Sequence, residues 1–506
     1  MTPVHQNQAR RLGVRAAVVS FIVCGLATVA PTPGAEAPVA SASVDRLVAA
    51  VLGETPLATD VTELSDRVGG RPTGSPQNER AIEWALARFR DAGVEARREP
   101  FPMRAGWLER SARARIAGPD VSFEARAAAM PYSTGTGPAG ASGPLVDAGA
   151  GSAADFVKLG DRARGAFLLV TTRELEDIEG LFKEYADATA IEQRAAAAGA
   201  AGVVYMGSRP GNALYRHNVS AGPANTRPMI VIERAAAERA LRLLGAGLPL
   251  TITEHLDIDA RGPYESANVI GEIRGATRPD EVVVMGAHLD SWDLGDGTLD
   301  NGANVAMMID IARQIVRLGL KPARTIRFAL WNGEEMGILG SLGYTKTHAD
   351  ELDRHVLAGS VDIGCGRITG FFTGGRPEVA SAVDAALKPV AGLGPFVQVD
   401  APIVGTDNLD FMLEGVANVV ANQEAALYGP NYHARTDTLD KCDRQQLRLN
   451  TAIVAAVTWA FADSSAPFPR QSRADIEALM RRTDLADQLK SMGMWVDWES
   501  GVRGRR

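Results

Sequence analysis

Cysteine is scarce, three in 506 residues, and so are histidine, with seven, and aromatic side chains, at 6%. So few cysteines exclude a disulfide-dense miniature scaffold. A formal charge of -8 at pH 7, with no long basic run, leaves nothing to neutralise a phosphate backbone and excludes nucleic acid as a partner. Past residue 40 no segment approaches the roughly 18 uninterrupted apolar residues that an integral membrane span requires. No repeat of useful period runs through the chain. What the chain has is globular composition, 46% hydrophobic and 23% charged, and length for two or three domains.

The first forty residues differ. Arg10, Arg11 and Arg15 precede the apolar run AAVVSFIVCGLATVA, and small residues suited to cleavage follow at GAEA and VASA. That is the layout of a signal peptide, expected over 1–41 and sending the mature chain to the periplasm or out of the cell. A retained membrane anchor is the competing reading. Cys24 follows Val23, where a lipoprotein site needs a small residue, so lipid attachment is disfavoured; ARRLGVR leaves the twin-arginine route open. Export leaves two cysteines, Cys365 and Cys442, each shortly after a residue nominated below as a metal ligand. An oxidising compartment lets them pair; otherwise they are two buried thiols.

Residues 42–105 combine a helical opening, the turn GGRPTGSP, an amphipathic helix and the strand-like VEARREPF, the first piece of an α/β domain. Over 106–257 the character changes to short strands and turns such as STGTGPAGASGP without a dense cluster of histidines and acids, which reads as an inserted β-rich domain. Strand and helix alternation resumes over 258–464 with EVVVMGAH, TIRFALWNG, HVLAGSVDIG and GVANVVANQ. Continuous apolar strands separated by helices predict a central twisted, mixed and largely parallel sheet covered by helices on both faces. Ligands of such a sheet gather at the carboxyl ends of its strands. Residues 465–506 are expected to form a capped helical extension that packs on the body or on a second copy, which leaves a homodimer open.

The chemistry-bearing residues fall at those carboxyl ends. His288 and Asp290 follow the strand at Val282–Met285, and positions two apart share a face, so Asp290 reads as the partner that orients a ligating His288. Asp300 stands before an amphipathic helix, where alone it would be an N-cap. Glu334 and Glu335 follow NG, which breaks the strand so that both can converge; their plain reading is dipole complementation of a helix. Asp362 ends another apolar strand, and His433 lies in a polar loop. Charge counting favours two cations over one. Two divalent ions bring four positive charges, Asp300, Glu335 and Asp362 remove three with His288 and His433 neutral, and a shared hydroxide cancels the last.

In order and spacing, GAHLDSWDLGDGTLDNGAN, LWNGEEMGILGS, SVDIG, GTDNLDF and YHARTDTLD resemble the motifs of the co-catalytic zinc metallopeptidases, the family of bacterial leucyl aminopeptidases and glutamate carboxypeptidases. The likeness takes in GGRPTGSPQNERAIEWALARFRDAG, and 106–257 resembles the family's protease-associated insert. The resemblance implies that Asp300 bridges two zinc ions, that His288 and Asp362 complete one site, and that Glu335 and His433 complete the other. It makes Glu334 the general base, keeps Asp290 as the orienting partner of His288, and puts Thr406, Asp407 and Tyr432 on the substrate pocket. Asn301 and the IGCG after Asp362 depart from the family pattern without removing a ligand.

The implied activity is hydrolysis of short peptides or dipeptides by metal-activated water, with manganese or cobalt able to replace zinc. A glutamate-releasing carboxypeptidase is the alternative within the family, for which Arg367, Arg376 and Arg435 are candidate pocket residues. A single-zinc glutaminyl cyclase and a receptor-like binding protein are the alternatives outside it.

Overall fold

The computed structural model describes residues 40–176, 178–217 and 222–506. The signal peptide expected over 1–41 lies, apart from its last two residues, outside the described residues. From Val282 to His288 the strand Arg278–His288 is buried at every position, and such a run forms only where both sheet faces are covered. It sits centrally in a seven-stranded sheet ordered Glu95–Met103, Tyr264–Ile273, Arg324–Trp331, Arg278–His288, His355–Ser360, Asn418–Gln423, Ile368–Phe372. The four strands from Arg324–Trp331 to Asn418–Gln423 are mutually parallel, and the flanking ones antiparallel. The expected largely parallel α/β sheet is what the chain forms.

Helices Pro76–Asp91, Ala303–Arg317 and Arg444–Asp463 cover one face through a shared core that includes Leu86, Phe89, Val305, Ile309, Ile453 and Val457. On the other face Trp331 packs edge-on against Tyr344 of Leu339–Thr347 and tilted against Phe411 of Asn408–Leu413.

A second, eight-stranded sheet is built between Gly106 and Arg261. Residues 40–506 cluster as one compact unit. The two sheets meet close to the cleft: Trp107 packs edge-on against Trp292, and Tyr215 forms an antiparallel bridge with Ala434.

Cys365 and Cys442 are bonded, with Cα atoms 5.4 Å apart. The bond ties the turn after Asp362 to the start of the last long helix. The carboxyl-terminal extension differs from the single capped helix expected. Ser472 caps Arg473–Arg482 with a capping box, Thr483 then turns extended, and Leu485–Ser491 and Trp495–Ser500 follow as separate helices. These short helices bury Ile476, Leu485, Leu489 and Trp498 against Leu409 and Leu413, so the extension packs on the body.

Candidate active site

Register brings the nominated residues level. Gly286 pairs with Ser360, so Asp362, two residues on, arrives beside His288; His288 itself pairs with Trp331, just ahead of the turn holding Glu334 and Glu335. Asp300 lies in a tight turn, Thr298–Gly302, and is not an N-cap: helix Ala303–Arg317 is preceded by Gly302 and lacks a side-chain cap. Glu334 and Glu335 precede their helix by several residues, in a turn closed by the N–H groups of Gly337 and Ile338 donating to the Glu334 carbonyl. Neither acid serves a helix dipole.

These elements converge on Asp300. Its Oδ1 is 3.1 Å from Nε2 of His288, which is also 2.9 Å from Asp362 Oδ1. Its Oδ2 is 3.5 Å from Nε2 of His433, which in turn is 2.9 Å from Glu335 Oε2. Within each trio, His288, Asp300, Asp362 and Asp300, Glu335, His433, the donor atoms all lie within 4.8 Å of one another. Asp300 belongs to both.

Both imidazoles are oriented from behind by main-chain carbonyls. Nδ1 of His288 donates to the Asp290 carbonyl at 2.9 Å, and Nδ1 of His433 to the Arg216 carbonyl at 3.3 Å. The expected link from Asp290 to His288 therefore runs through its backbone; the Asp290 carboxylate lies 3.7 Å from Nδ1, beyond hydrogen-bond reach. That carboxylate instead accepts from the Thr73 hydroxyl at 2.7 Å and the Gly333 N–H at 3.0 Å, which fixes the start of the glutamate turn.

The electrostatics fit a cation. Burial, joined by Asp362, Asp407 and Glu335 against the opposing pull of His288, holds the Glu334 carboxyl well above the usual carboxylate range, and burial with Asp300 does the same to Glu335. Burial opposes a charged His288, yet Asp362, Asp290 and Asp300 override it and raise that imidazole well above its ordinary value. His433 is lowered by burial to about 4, so it is neutral and its Nε2 lone pair is free to ligate. Asp290 Oδ1, Asp300 Oδ2, Glu335 Oε1 and both Asp407 oxygens are buried without a hydrogen bond. Orphaned carboxylate oxygens cost several kcal/mol unless a positive charge sits among them. Two imidazoles and three carboxylates form the nitrogen and oxygen set that zinc accepts.

Beside the trios lies a cleft of about 250 Å³, whose wall includes Glu334, Glu335, Trp292, Tyr432, Tyr185 and Met492. Of the expected pocket residues, Tyr432 lines it. Thr406 is buried with its hydroxyl 2.8 Å from that of Ser360, and Asp407 is buried beneath the wall, where only Gly405 of that segment is exposed to the cleft. None of Arg367, Arg376 and Arg435 lines it: Arg367 pairs with Glu424 and Arg376 with Glu378. Arg104 and Arg503 do, both close to Asp497.

Comparison with known proteins matches residues 268–458 to peptidase family M28. That segment is similar to an M28 peptidase domain. It contains both trios. The chain is 30% identical to carboxypeptidase Q of Xenopus laevis over 237 residues, 46% of this chain, and the match spans only half the length of that relative. It is 28% identical to a Mycobacterium tuberculosis protein named probable lipoprotein aminopeptidase LpqL, over 80% of this chain and 82% of that one. Among solved structures, a Shewanella amazonensis M28 peptidase precursor superposes with a TM-score of 0.76 at 28% identity, covering 86% of this chain and 99% of that one. A zinc aminopeptidase from Bacillus subtilis shares the fold, with a TM-score of 0.65 at 20% identity, covering 81% of this chain and 95% of that one.

Several residues that build this site carry no local signal. Asp437 accepts from the N–H groups of Leu299 and Asp300 at 2.7 and 3.1 Å and thereby presents the Asp300 carboxylate. Arg71 is buried and donates to the carbonyls of Leu289, Asp296 and Gly297, pinning the loop between His288 and Asp300. The GGRPTG turn and the aspartate of YHARTD stand out as motifs, but no spacing rule assigns them these partners.

Proposed function

We propose that this chain is an exported two-metal exopeptidase that hydrolyses short peptides, dipeptides included, from a free amino terminus. In this reading Asp300 bridges two zinc ions; His288 and Asp362 complete one site, Glu335 and His433 the other, and manganese or cobalt suits the same set. The observation that carries it is the Asp300 carboxylate, whose two oxygens face separate donor trios. The M28 match over 268–458 and the relative named as an aminopeptidase support the reaction class. The second sheet then corresponds to a protease-associated insert over 106–257.

Cations held there would supply Lewis acidity and a water acidified towards neutral pH. Glu334, at the cleft wall, accepts the proton of the attacking water on a carboxylate oxygen and returns it to the departing amine. Asp290 and Arg216 keep His288 and His433 in the tautomer whose Nε2 faces inward. Tyr432 stands where its hydroxyl can donate to the carbonyl oxygen of the bond being cut. Trp292, Met336 and Met492 seat an apolar side chain and keep bulk water out.

Metal analysis should find two divalent ions per chain, and a chelator should abolish hydrolysis of a dipeptide panel. Glu334→Gln should lower kcat by about 10³-fold while metal content holds; a variant with substantial activity rejects the role given to Glu334. Arg104 on the cleft wall, together with the relative named carboxypeptidase Q, favours a second reading in which the free carboxylate is recognised. Release of the first residue from a carboxyl-blocked peptide, and none from an amino-blocked one, decides for the amino terminus.

A further inference from the structure

Two tyrosines from distant parts of the chain meet on the cleft wall. Tyr185 lies on the helix Ile178–Ala197, which belongs to the segment that builds the second sheet. Tyr432 precedes His433 and stacks on its imidazole, ring centroids 3.7 Å apart. The two hydroxyl oxygens are 2.5 Å apart. Each phenol hydroxyl has one proton to give and lone pairs with which to accept. One hydrogen bond consumes one proton. Among the described residues the other finds no acceptor, and it faces the cleft.

The neighbouring residue of the same helix grips the other end of Tyr432. Glu184 accepts from both terminal nitrogens of buried Arg209, at 3.0 and 3.2 Å, and Arg209 Nε donates to the Tyr432 carbonyl at 3.0 Å. Glu184, through Arg209, thus fixes the Tyr432 backbone, and Tyr185 fixes its hydroxyl. Both restraints act on the residue beside a nominated metal ligand.

We propose that Tyr185 is a positioning residue: its hydroxyl donates to that of Tyr432, so that the Tyr432 proton points into the cleft at the substrate carbonyl. A hydroxyl that accepts a hydrogen bond is polarised into a better donor, and its effect is largest as negative charge develops on the carbonyl oxygen. The inserted segment is then a working part of the catalytic centre. This rests on the peptidase reading above.

The test is Tyr185→Phe, which removes one oxygen and keeps the ring. Loss of one polarising hydrogen bond should lower kcat about five- to ten-fold, with KM within about two-fold of wild type and the melting temperature unchanged. Tyr432→Phe should cost more, and Tyr185→Phe/Tyr432→Phe no more than Tyr432→Phe alone, because the first hydroxyl acts only through the second. An active wild type matched by Tyr185→Phe in kcat overturns the inference, as do losses that multiply in the double variant or a fall in kcat that tracks melting temperature. A wild type inert on every peptide overturns the peptidase reading and this inference with it.

Discussion

At the scale of single residues, position decides what a buried carboxyl group does. Glu254 sits in the strand Leu250–Arg261 opposite Ala114 and Ala141, buried, with neither oxygen hydrogen-bonded. Burial alone pushes its carboxyl up to about 8. Unlike the acids around Asp300, it belongs to neither donor trio. The folded chain therefore keeps Glu254 protonated while the unfolded chain ionises it near pH 4.5, so folding stability is whole below that value and fades as pH rises to about 8. The loss is on the order of a few kcal/mol at about 1.4 kcal/mol per pH unit. Glu254→Gln should melt like wild type at pH 4 and several degrees above it at pH 8.5. Equal melting temperatures at both pH values would show that the carboxyl finds solvent or a partner.

At the scale of elements, the parallel sheet explains why the trios were readable. Each nominated residue falls at the end of an apolar run or in the loop beyond it, and runs of that kind become neighbouring strands whose carboxyl ends lie together. Which residues brace them was not readable, because bracing depends on which loops meet. Asp437 and Asp300 are 137 positions apart, and Arg71 and Gly297 are 226 apart. No hydrophobic period encodes such a meeting. Asp437 also shows how an element is tuned: its two oxygens each take one N–H from the Asp300 turn. Asp437→Asn turns one acceptor into a donor facing an N–H group and lets the turn relax. The expected result is a ten- to hundred-fold weaker hold on the metal, measured by competition with a chelator, with kcat recovered at saturating metal.

At the scale of the whole molecule, a segment far from the chemistry in sequence braces the turn that carries it. The sequence offered no chemical reason for the carboxyl-terminal extension, since its helices carry ordinary caps and apolar stripes. Yet Met492, Met494 and Asp497 line the cleft, and Arg503 reaches the turn that bears both glutamates. Arg503 donates to Asp410 at 2.6 Å and to the carbonyls of Gly337 and Ile338 at 2.5 and 3.2 Å. Ile338 is left-handed, φ 56°, a conformation that a β-branched residue adopts only under restraint. The guanidinium supplies that restraint and also neutralises Asp410, which is wholly buried. Arg503→Leu should therefore cost about 3–5 kcal/mol, because it strands a buried charge. Arg503→Leu/Asp410→Leu removes charge and counter-charge together and should regain most of that stability in denaturant unfolding. Its kcat should stay low, since the carbonyls of Gly337 and Ile338 remain unheld and the turn presenting Glu334 is free to shift. Recovery of kcat along with stability would mean that the extension only braces the fold.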